Sequence, residues 1–515
     1  MRLQEIIVNY QLPIVIYFVP LHKDMKTAIL HQLLLVLFLL LTGSNVLWAG
    51  KHSKVEYPGG KHYIYRYSLC DKKGSNYSLQ HPSRWLSRKS VERRSRQGLS
   101  LDSTDLPVSN LYIKIFRQHA DEIVKKNKGA SMEWSLIGGS RWQNTLLVHS
   151  NSLTLLNHLA QLPCVKESRQ VWISPDSIST TAKREKYHDE LDEFNKTPEQ
   201  SYGKSYEQIA KLSGNRLHDI GMHGEGMTIA ILDGGFQNAD RIPSLTSINI
   251  LGSRDFVTPA SPSIFAETDH GTKVLSTLGA MIPFYYIGTA PKASYWLLRS
   301  EDQQSEQEVE EDYWTMAAEF ADSVGCDIIN SSLGYNEYDS RELSYKLYQL
   351  DGKTAFISRT ASMLAQKGII LVNSAGNSGM GHWKKIGVPA DADHILTVGA
   401  IAADKPYDIA AFSSVGPTQD GRVKPDVVAI GAPTFLINGR GILTQDMGTS
   451  FSTPTVCGLV ACLWQALPHL TAEDIIQLVR LTSNNYEHPD NVYGFGVPNF
   501  WRAYMLGRLE AVKGK

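Results

Sequence analysis

Cysteine is scarce in this chain: 515 residues include five, and no two of them form a C-x-x-C pair. So few and so scattered thiols exclude a disulfide-stapled scaffold and argue against a metal held by thiolates. Cys326, Cys457 and Cys462 lie in apolar stretches, where a free cysteine acts as a small hydrophobic side chain. Cys70 and Cys164 fall in neighbouring edge elements of one predicted small domain, so a disulfide between them is a hypothesis for an exported protein.

An excess of charge of either sign is also lacking. Lys and Arg number 51 and Asp and Glu number 52, so no overall field favours nucleic acid or anionic lipid as a partner. A local basic cluster, Arg93, Arg94 and Arg96, lies beside Glu92 and has no neighbouring aromatic residues that could stack on bases. We therefore predict a solvated helix face there and expect no nucleic-acid partner.

Long hydrophobic runs are absent except near the N-terminus. From Met25 the sequence has a basic Lys26, an apolar stretch over 33–41 and small residues that end near Ala49. This pattern is typical of a secretory signal peptide, which we predict over residues 25–49. The protein is then exported, to the periplasm, the cell surface or the extracellular medium.

Residues 1–24 form an uncertain upstream extension. Their apolar segment contains Pro13 and Pro20, which interrupt a membrane-spanning helix of about 20 residues. Translation that starts at Met25 would remove this extension. The alternative, a retained N-terminal membrane anchor, stays open, although the apolar run is short for a span. Membrane contact is expected only through the signal or such an anchor.

Shifts in composition divide the rest of the chain. Residues 55–175 contain strand patterns such as "KHYIYRYSL" and helix patterns such as "VSNLYIKIFRQHADEIVKK", which predict a small α+β domain. Residues 176–205 are polar, charged and poor in aliphatic side chains, which predicts an exposed linker. Over residues 206–515, short apolar strands such as "MTIAILD" and "GIILVNSAG" alternate with helices, which predicts an α/β domain with a parallel sheet.

Three reactive side chains stand at the ends of predicted elements in the α/β domain. Asp233 ends the strand "MTIAILD", His270 opens the helix of "TDHGTKVLSTLGAM", and Ser450 opens that of "MGTSFSTPTVCGLVACLWQAL". Taken singly, each residue serves equally well as a cap or a core residue. Their chain order, Asp then His then Ser, is the order of the triad in subtilisin.

Eight blocks in a common order make this resemblance specific. They are "AILDGGF", "DHGTKV", "IINSSLG", "LVNSAGNSG", "VPADADHILTVGAI", "AAFSSVGP", "KPDVVAIG" and "GTSFSTPTVCG". On these blocks the chain resembles the subtilisin-like peptidases over roughly residues 215–505. The resemblance implies a three-layer α/β fold with a mainly parallel sheet. It also implies a serine endopeptidase that hydrolyses peptide bonds through an acyl-enzyme intermediate.

The resemblance also implies roles for individual residues. His270 would move the proton of Ser450, and Asp233 would orient His270. The side-chain amide of Asn377 would stabilise the oxyanion together with the backbone N–H of Ser450. The residues expected to bind substrate are Ser332, Leu333 and Gly334 along an added strand, and Ser374, Ala375, Gly376, Pro389 and Ala390 around the primary pocket.

The N-terminal segment carries a second resemblance. "WLSRKSVERRSRQGLSLDSTDLPVS" is similar to N-terminal regions of subtilisin-like peptidases from Bacteroidetes-type bacteria. Residues 55–175 as a whole resemble the inhibitor-like propeptides of the family, which have a small α+β, ferredoxin-like fold. This implies a zymogen whose partners are its own prodomain and protein or peptide substrates. The linker, residues 176–205, is then the region of self-cleavage.

An acidic stretch allows two interpretations. Residues 301–312 fall beside the expected substrate groove and would favour basic substrate residues upstream of the cut. However, Ser305 and Glu308 also form an S-x-x-E capping box, and carboxylates suit the first turn of a helix. We favour capping. A departure from the family lies after the nucleophile, where Phe451 and Ser452 replace Met-Ala and predict altered packing beneath Ser450.

Three other classes of protein compete with this interpretation. A non-catalytic relative would not need the triad and Asn377 together. A serine-carboxyl peptidase would have Glu where "DHGT" has His270, and an esterase would have its serine in G-x-S-x-G, whereas Ser450 lies in "GTSFS". The predicted chemistry requires no cofactor and no metal site is expected. Calcium binding stays open because no segment matches the calcium loops of the family.

Overall fold

A computed structural model describes residues 52–54, 60–127, 131–179, 199–257, 263–405 and 408–513. Apart from His52 and Ser53, everything discussed below lies in the unit that runs from Lys54 to Lys515. The predicted signal peptide, the upstream extension and residues 180–198 of the predicted linker lie outside the described residues. Within the described part, no helix is both long and apolar enough to cross a membrane.

The N-terminal domain, residues 60–175, contains a four-stranded antiparallel sheet in the order β2-β3-β1-β4. Two helices pack against the sheet around Tyr67, Phe116 and Leu156. Serine residues cap both of them, since Ser109 and Ser152 accept hydrogen bonds from backbone N–H groups of the first turn. The elements are β1 (Tyr63–Leu69), α1 (Arg88–Arg96), α2 (Asn110–Lys126), β2 (Trp134–Gly138), β3 (Thr145–Ser150), α3 (Leu153–Leu159) and β4 (Val165–Ile173).

The C-terminal domain, residues 206–513, is built on a seven-stranded parallel sheet in the order β11-β10-β9-β8-β5-β7-β6. The sheet confirms the parallel α/β architecture expected from the apolar strand patterns. Its strands are β5 (Thr228–Asp233), β6 (Asn249–Asp255), β7 (Ser294–Arg299), β8 (Ile328–Ser331), β9 (Ile370–Ser374), β10 (Leu396–Ala402) and β11 (Val427–Ala432).

Helices cover both faces of this sheet, because alternate residues of its strands point to opposite sides. Ile229 and Ile231 of β5 belong to one buried cluster, and Ala230 and Leu232 belong to another. The helices are α4 (Tyr206–Ala210), α5 (Asn215–Asp219), α6 (His270–Gly279), α7 (Val309–Val324), α8 (Phe356–Met363), α9 (Thr449–Ala466), α10 (Ala472–Leu481) and α11 (Phe500–Lys513). The result is the expected three-layer fold.

Four short strands lie outside this sheet and form two antiparallel pairs in the C-terminal domain. They are Met281–Ile282 with Tyr286–Ile287, and Thr434–Ile437 with Leu443–Asp446. Two three-residue strands, His52–Lys54 and Ser177–Ser179, flank the N-terminal domain along the chain.

The two domains share one hydrophobic cluster. Helices α7 and α8 face the sheet of the N-terminal domain, since Arg66 of β1 contacts Asp312 of α7 and Phe356 of α8, and Trp314 of α7 is a fully buried member of the cluster. The N-terminal residues of the same cluster are Ile64, Trp142, Leu147, Val171 and Trp172. Because these side chains would be exposed in a separated domain, their burial stabilises the docked arrangement.

The prediction of a solvated face for Arg93, Arg94 and Arg96 is wrong for the first two of these residues, although Arg88, Glu92 and Arg96 do form an exposed side of helix α1. Arg93 and Arg94 are 1% and 2% exposed, and both guanidinium groups donate to the carboxylate of Asp322 in α7. Of the three arginines in the cluster, only Arg96 has an exposed side chain, at 45%. The charged pattern was misleading because Asp322, the counter-charge that both arginines share, lies more than 200 residues further along the chain.

The predicted capping box of Ser305 and Glu308 does not form. Helix α7 begins at Val309, and its N-cap residue Glu308 makes no capping hydrogen bond through its side chain. The Ser305 hydroxyl donates to Asp302 instead. The carboxylate of Glu308 pairs with Arg169 of the N-terminal domain, so the acidic start of α7 serves the contact between domains.

The hypothesised disulfide is also absent. Cys70 and Cys164 are neighbours, because the Cys70 N–H donates to the Cys164 carbonyl at 2.9 Å. Nevertheless both are free thiols. Cys70 follows β1, which lies inside the sheet and not at its edge. The remaining cysteines, Cys326, Cys457 and Cys462, are buried free thiols as predicted.

Candidate active site

Asp233 lies at the carboxyl end of β5, near the middle of the parallel sheet, where loops rather than strands continue the chain. Its side chain is fully buried. Both carboxylate oxygens lie 2.9 Å from Nδ1 of His270, and the Gly234 N–H donates to Oδ1 at 2.8 Å. The burial and the two donors fix the carboxylate in one orientation.

His270 is the first residue of α6, as the sequence predicted. Since Nδ1 faces Asp233, the other ring nitrogen, Nε2, is left for a reactant. Partial burial would lower the pKa of His270, but the Asp233 carboxylate, with a smaller contribution from Glu301, raises it to about 9. The ring of Phe451 lies 5.7 Å from the imidazole, centroid to centroid. The residue that replaces the Met of the family's Met-Ala therefore lies next to His270.

Ser450 is the second residue of α9 and is 7% exposed. Its hydroxyl lies 3.4 Å from the carbonyl oxygen of Ser332 as a donor, and the Ser332 hydroxyl donates to the Ser450 carbonyl at 2.9 Å. Ser450 and His270 line the same cleft, which has a volume of about 410 Å³. The fold therefore brings Asp233, His270 and Ser450 together from three distant segments.

Asn377 lines the same cleft beside Ser450. Its Oδ1 accepts hydrogen bonds from the backbone N–H of Thr449 at 2.9 Å and from the Thr449 hydroxyl at 3.0 Å. These bonds fix the rotation of the amide and leave Nδ2 as the atom that can donate to a bound oxygen. The Ser450 N–H, in the first turn of α9, is a second donor of the kind found at helix N-termini.

The predicted substrate residues form the walls of the cleft with one exception. Ser332 to Gly334 follow the end of β8, and Ser374 to Gly376 follow β9, so the two segments lie side by side. Ala390 also lines the cleft, whereas Pro389 does not. Leu333 is tied to the second segment because its carbonyl accepts from the Ser374 hydroxyl at 3.4 Å.

Sequence reasoning missed several polar residues of the cleft, of which Glu301 matters most. Burial and the neighbouring Asp233 carboxylate raise the pKa of Glu301 to about 7. Gln303 donates to the Glu301 carboxylate at 2.8 Å. Glu301 opens the acidic stretch of the sequence, so that stretch contained the signal. The other missed lining residues are Thr268, Asp269, Lys273, Asn336, Ser378, Gly387 and Thr449.

In the part of the chain that the structure describes, no three His, Cys, Asp or Glu side chains are arranged to hold a metal ion.

Comparison with protein families gives two matches. Residues 224–496 match the model of the Subtilase family. The chain belongs to the subtilase family. Residues 65–189 match the Peptidase S8 propeptide domain of Bacteroidota, which covers most of the N-terminal domain. As a subtilase the protein is a subtilisin-like serine peptidase, and it carries a domain of the propeptide type.

Curated relatives match slightly more than half of this subtilase. Subtilisin DY of Bacillus licheniformis is 27% identical over 282 residues, which cover 54% of this chain and 90% of the relative. Serine protease AprX of Bacillus subtilis is 27% identical over 305 residues, which cover 54% of this chain and 65% of the relative. M-protease of Shouchella clausii is 26% identical over 292 residues, 56% of this chain and 67% of the relative.

Proposed function

We propose that this subtilase is an exported serine endopeptidase that cuts peptide bonds with Ser450, His270 and Asp233 and removes its own N-terminal domain. The observation that carries the proposal is the arrangement in one cleft of an Asp-oriented imidazole, a serine at a helix N-terminus and a fixed amide. Hydrolysis by an acyl-enzyme requires these groups together.

In the first half-reaction, His270 Nε2 takes the proton of Ser450 as Oγ forms a bond to the substrate carbonyl carbon. The same proton then goes to the leaving amine while the C–N bond breaks, which leaves an acyl ester on Ser450. In the second half, water loses a proton to His270 as its oxygen attacks the ester carbon, and that proton then goes to Ser450 Oγ while the C–O bond breaks and the acid leaves. Asp233 holds the imidazole and stabilises its charged form in both halves.

Negative charge that develops on the carbonyl oxygen needs donors in place before the reaction. The Nδ2 of Asn377 and the Ser450 N–H supply two, and both are fixed by bonds or by helix geometry. Because Thr449 holds Oδ1 of Asn377, the amide need not reorganise when the oxyanion forms.

Substrate binding would use the two segments of the cleft wall. An extended peptide can add as a strand along residues 332–334, with main-chain hydrogen bonds that depend little on its sequence. The small residues Ala375, Gly376 and Ala390 leave room for the side chain before the cut. Glu301 on the wall supports the less favoured interpretation of the acidic stretch, in which basic substrate residues upstream of the cut are preferred.

Self-processing is supported by the arrangement of the N-terminal domain. Its last strand, β4, ends at Ile173, whose backbone N–H donates to the side-chain carbonyl oxygen of Gln307 at 2.9 Å. Asp176 and Glu306 line one further pocket, so the chain leaves the domain beside the acidic stretch. The linker, residues 176–205, is then the segment in which the cut is made. Export stays a prediction from the signal pattern.

A time course of intact mass tests the proposal. The chain from Lys51 onward and its Ser450→Ala version are purified and incubated side by side. We expect the parent to lose an N-terminal fragment that ends within residues 176–205, while Ser450→Ala stays whole. If neither chain is processed, and the parent stays inactive after another protease has trimmed it, the protein is a non-catalytic member of the family.

A further inference from the structure

The balanced charge of the whole chain conceals two oppositely charged domains. Residues 55–175 carry 18 Lys and Arg against 9 Asp and Glu, a net charge of +9. Residues 206–515 carry 23 Lys and Arg against 34 Asp and Glu, a net charge of −11. Fields of opposite sign attract the two domains and raise their rate of association.

The domains meet in two separate regions. In the first, the sheet of the N-terminal domain faces the start of α7, where Arg66 bonds to Asp312 and Arg169 to Glu308. In the second, helix α1 lies at the other end of α7 and at the amino ends of the parallel strands. There Lys89 donates to the Thr228 hydroxyl at 2.6 Å.

The second region is far from the cleft. Thr228 begins β5 and Asp233 ends it, and a strand of this length separates its ends by about 17 Å. Helix α1 therefore cannot occupy the cleft. Its contribution is to attachment, whereas the chain that follows β4 leads towards the acidic wall of the cleft.

Asp322 is the centre of the second region. Arg94 bonds to both of its carboxylate oxygens, at 2.8 and 2.9 Å, and Arg93 and Arg141 bond to it as well. Burial opposes ionisation of Asp322, but the three arginines outweigh it and hold the pKa at about 2. All three arginines come from the N-terminal domain, and the side chain of Asp322 is fully buried.

Neighbouring groups extend this network. Asp105 of the N-terminal domain bonds to Arg94 at 3.1 Å and to Lys367 of the C-terminal domain at 3.1 Å. Arg93 also donates to the backbone carbonyls of Cys326 and Lys367. Each buried charge therefore has a partner of opposite sign or a carbonyl, which a buried ionic network requires in order to be stable.

Helix α7, which is described throughout, has no basic residue of its own in its last turn, and the three arginines lie there instead. Its first turn contains three carboxylates, Glu310, Glu311 and Asp312, and within Val309–Val324, all of which is described, the last turn has no basic residue. A helix C-terminus favours nearby cations. Here Arg93, Arg94 and Arg141 of the N-terminal domain supply them.

We propose that Asp322 is the anchor of a second docking site, which takes the arginines of helix α1 and retains the N-terminal domain after the linker is cut. The site lies at the amino ends of the parallel strands. The contacts that retain the N-terminal domain there are therefore separate from the cleft. This inference rests on the proposed function only in assuming that the linker is cut in the natural protein.

The test separates docking from catalysis by using an external protease. In a Ser450→Ala chain, part of residues 184–194 is replaced by the recognition sequence of a site-specific protease. After cleavage, the dissociation rate of the N-terminal domain is followed by size-exclusion chromatography and native mass spectrometry. Because Ser450 is absent, the result does not depend on whether the protein is a peptidase.

We expect Asp322→Asn to speed dissociation by about 100-fold, since removing one partner of a buried ionic group leaves the others uncompensated. The matched control is Asp420→Asn, which removes an exposed carboxylate that bonds to Arg422 within the C-terminal domain. Like Asp322→Asn, it removes one negative charge from the C-terminal domain. We expect it to change the dissociation rate by less than about threefold.

A second variant covers the case in which Asp322→Asn does not fold. Arg93→Met with Arg94→Met changes only the N-terminal domain and should also speed dissociation at least about tenfold. Adding Asp322→Asn to this pair should speed dissociation by a smaller factor than it does in the parent, because two of the three arginine partners of Asp322 are already gone and only Arg141 remains. Dissociation rates within about threefold of the parent in all these variants would overturn the proposal.

Discussion

The imidazole of His270 is held by Asp233 on one side and contacted by Phe451 on another, and its pKa depends on both charge and burial. At the scale of single residues, the chemistry of the site therefore depends on the groups that set the protonation of this ring. Among the neighbours that the structure adds to the sequence analysis, Glu301 has the clearest electrostatic effect. It contributes to the raised pKa of His270 without bonding to it.

Replacing Glu301 with glutamine should lower the pKa of His270. The serine is activated by neutral imidazole, so kcat/KM of the processed enzyme should reach its half-maximum at a lower pH in Glu301→Gln. A profile of kcat/KM with a fluorogenic peptide from about pH 5 to about pH 10 measures this. Asn336→Ala, a neutral change in the same cleft, should leave the midpoint unchanged; equal midpoints in Glu301→Gln and the parent would contradict the account.

Removing the amide of Asn377 tests the oxyanion role. In Asn377→Ala we expect kcat to fall by about 10²–10³-fold with little change in KM, the size of loss that removal of one such donor causes in subtilisin. Steady-state kinetics on the processed enzyme separate the two constants. Asn336→Ala again serves as the control, and a loss confined to KM would assign Asn377 to substrate binding instead.

At the scale of elements, the site depends on where strands and helices end. Strands β8 and β9 end side by side, so the segments that follow them form two facing walls of the cleft. Gly334 lies on one wall, and a β-carbon there would meet only the Val388 carbonyl, at 3.4 Å. The fold therefore tolerates a side chain at Gly334. A side chain there would, however, collide with a peptide backbone that approaches this wall.

Gly334→Ala should raise KM by about tenfold and change kcat less, because the methyl group interferes with strand addition. The matched control is Gly381→Ala, where a β-carbon also meets a single carbonyl at 3.4 Å but lies outside the cleft lining. Kinetics with a peptide that extends at least four residues before the cut measure both variants. An unchanged KM in Gly334→Ala would show that substrate does not add along this wall.

Elements with a strong local pattern could be predicted from the sequence. The apolar run that ends at Asp233 forms β5, and His270 and Ser450 begin α6 and α9 as expected. What failed depended on partners distant in sequence. Helix α1 has the composition of a solvated helix, and only the contact with Asp322 shows why Arg93 and Arg94 are buried. The capping motif at Ser305 was likewise overridden, because Glu308 is taken by Arg169.

At the scale of the whole molecule, the two domains share one buried cluster and one ionic network. The net charge of the full chain does not indicate the ionic network, because the charges of +9 for residues 55–175 and −11 for residues 206–515 nearly cancel in the total of −1. Counting charge separately for each predicted domain would have revealed the complementarity. The N-terminal domain thus contributes to the stability of the chain as well as lying near the cleft.

The ionic network predicts a pH dependence of stability. The pKa of Asp322 is lower in the folded chain, about 2, than in an unfolded one, about 3.9. Its contribution is therefore full above the unfolded value and is lost as the pH falls through the folded value. Urea unfolding of Ser450→Ala chains with and without Asp322→Asn should show a difference in midpoint that is constant above about pH 5 and shrinks below about pH 4. A difference that grows on acidification would contradict this sign.

The central claim is that Ser450 is a nucleophile activated by His270. The most direct measurement is covalent labelling with a fluorophosphonate, located by tandem mass spectrometry of the digested protein after the N-terminal domain has been removed by an external protease. We predict one adduct, on Ser450, that is absent from Ser450→Ala and strongly reduced in His270→Ala. Labelling of another serine, or equal labelling of Ser450 with and without His270, would contradict the account.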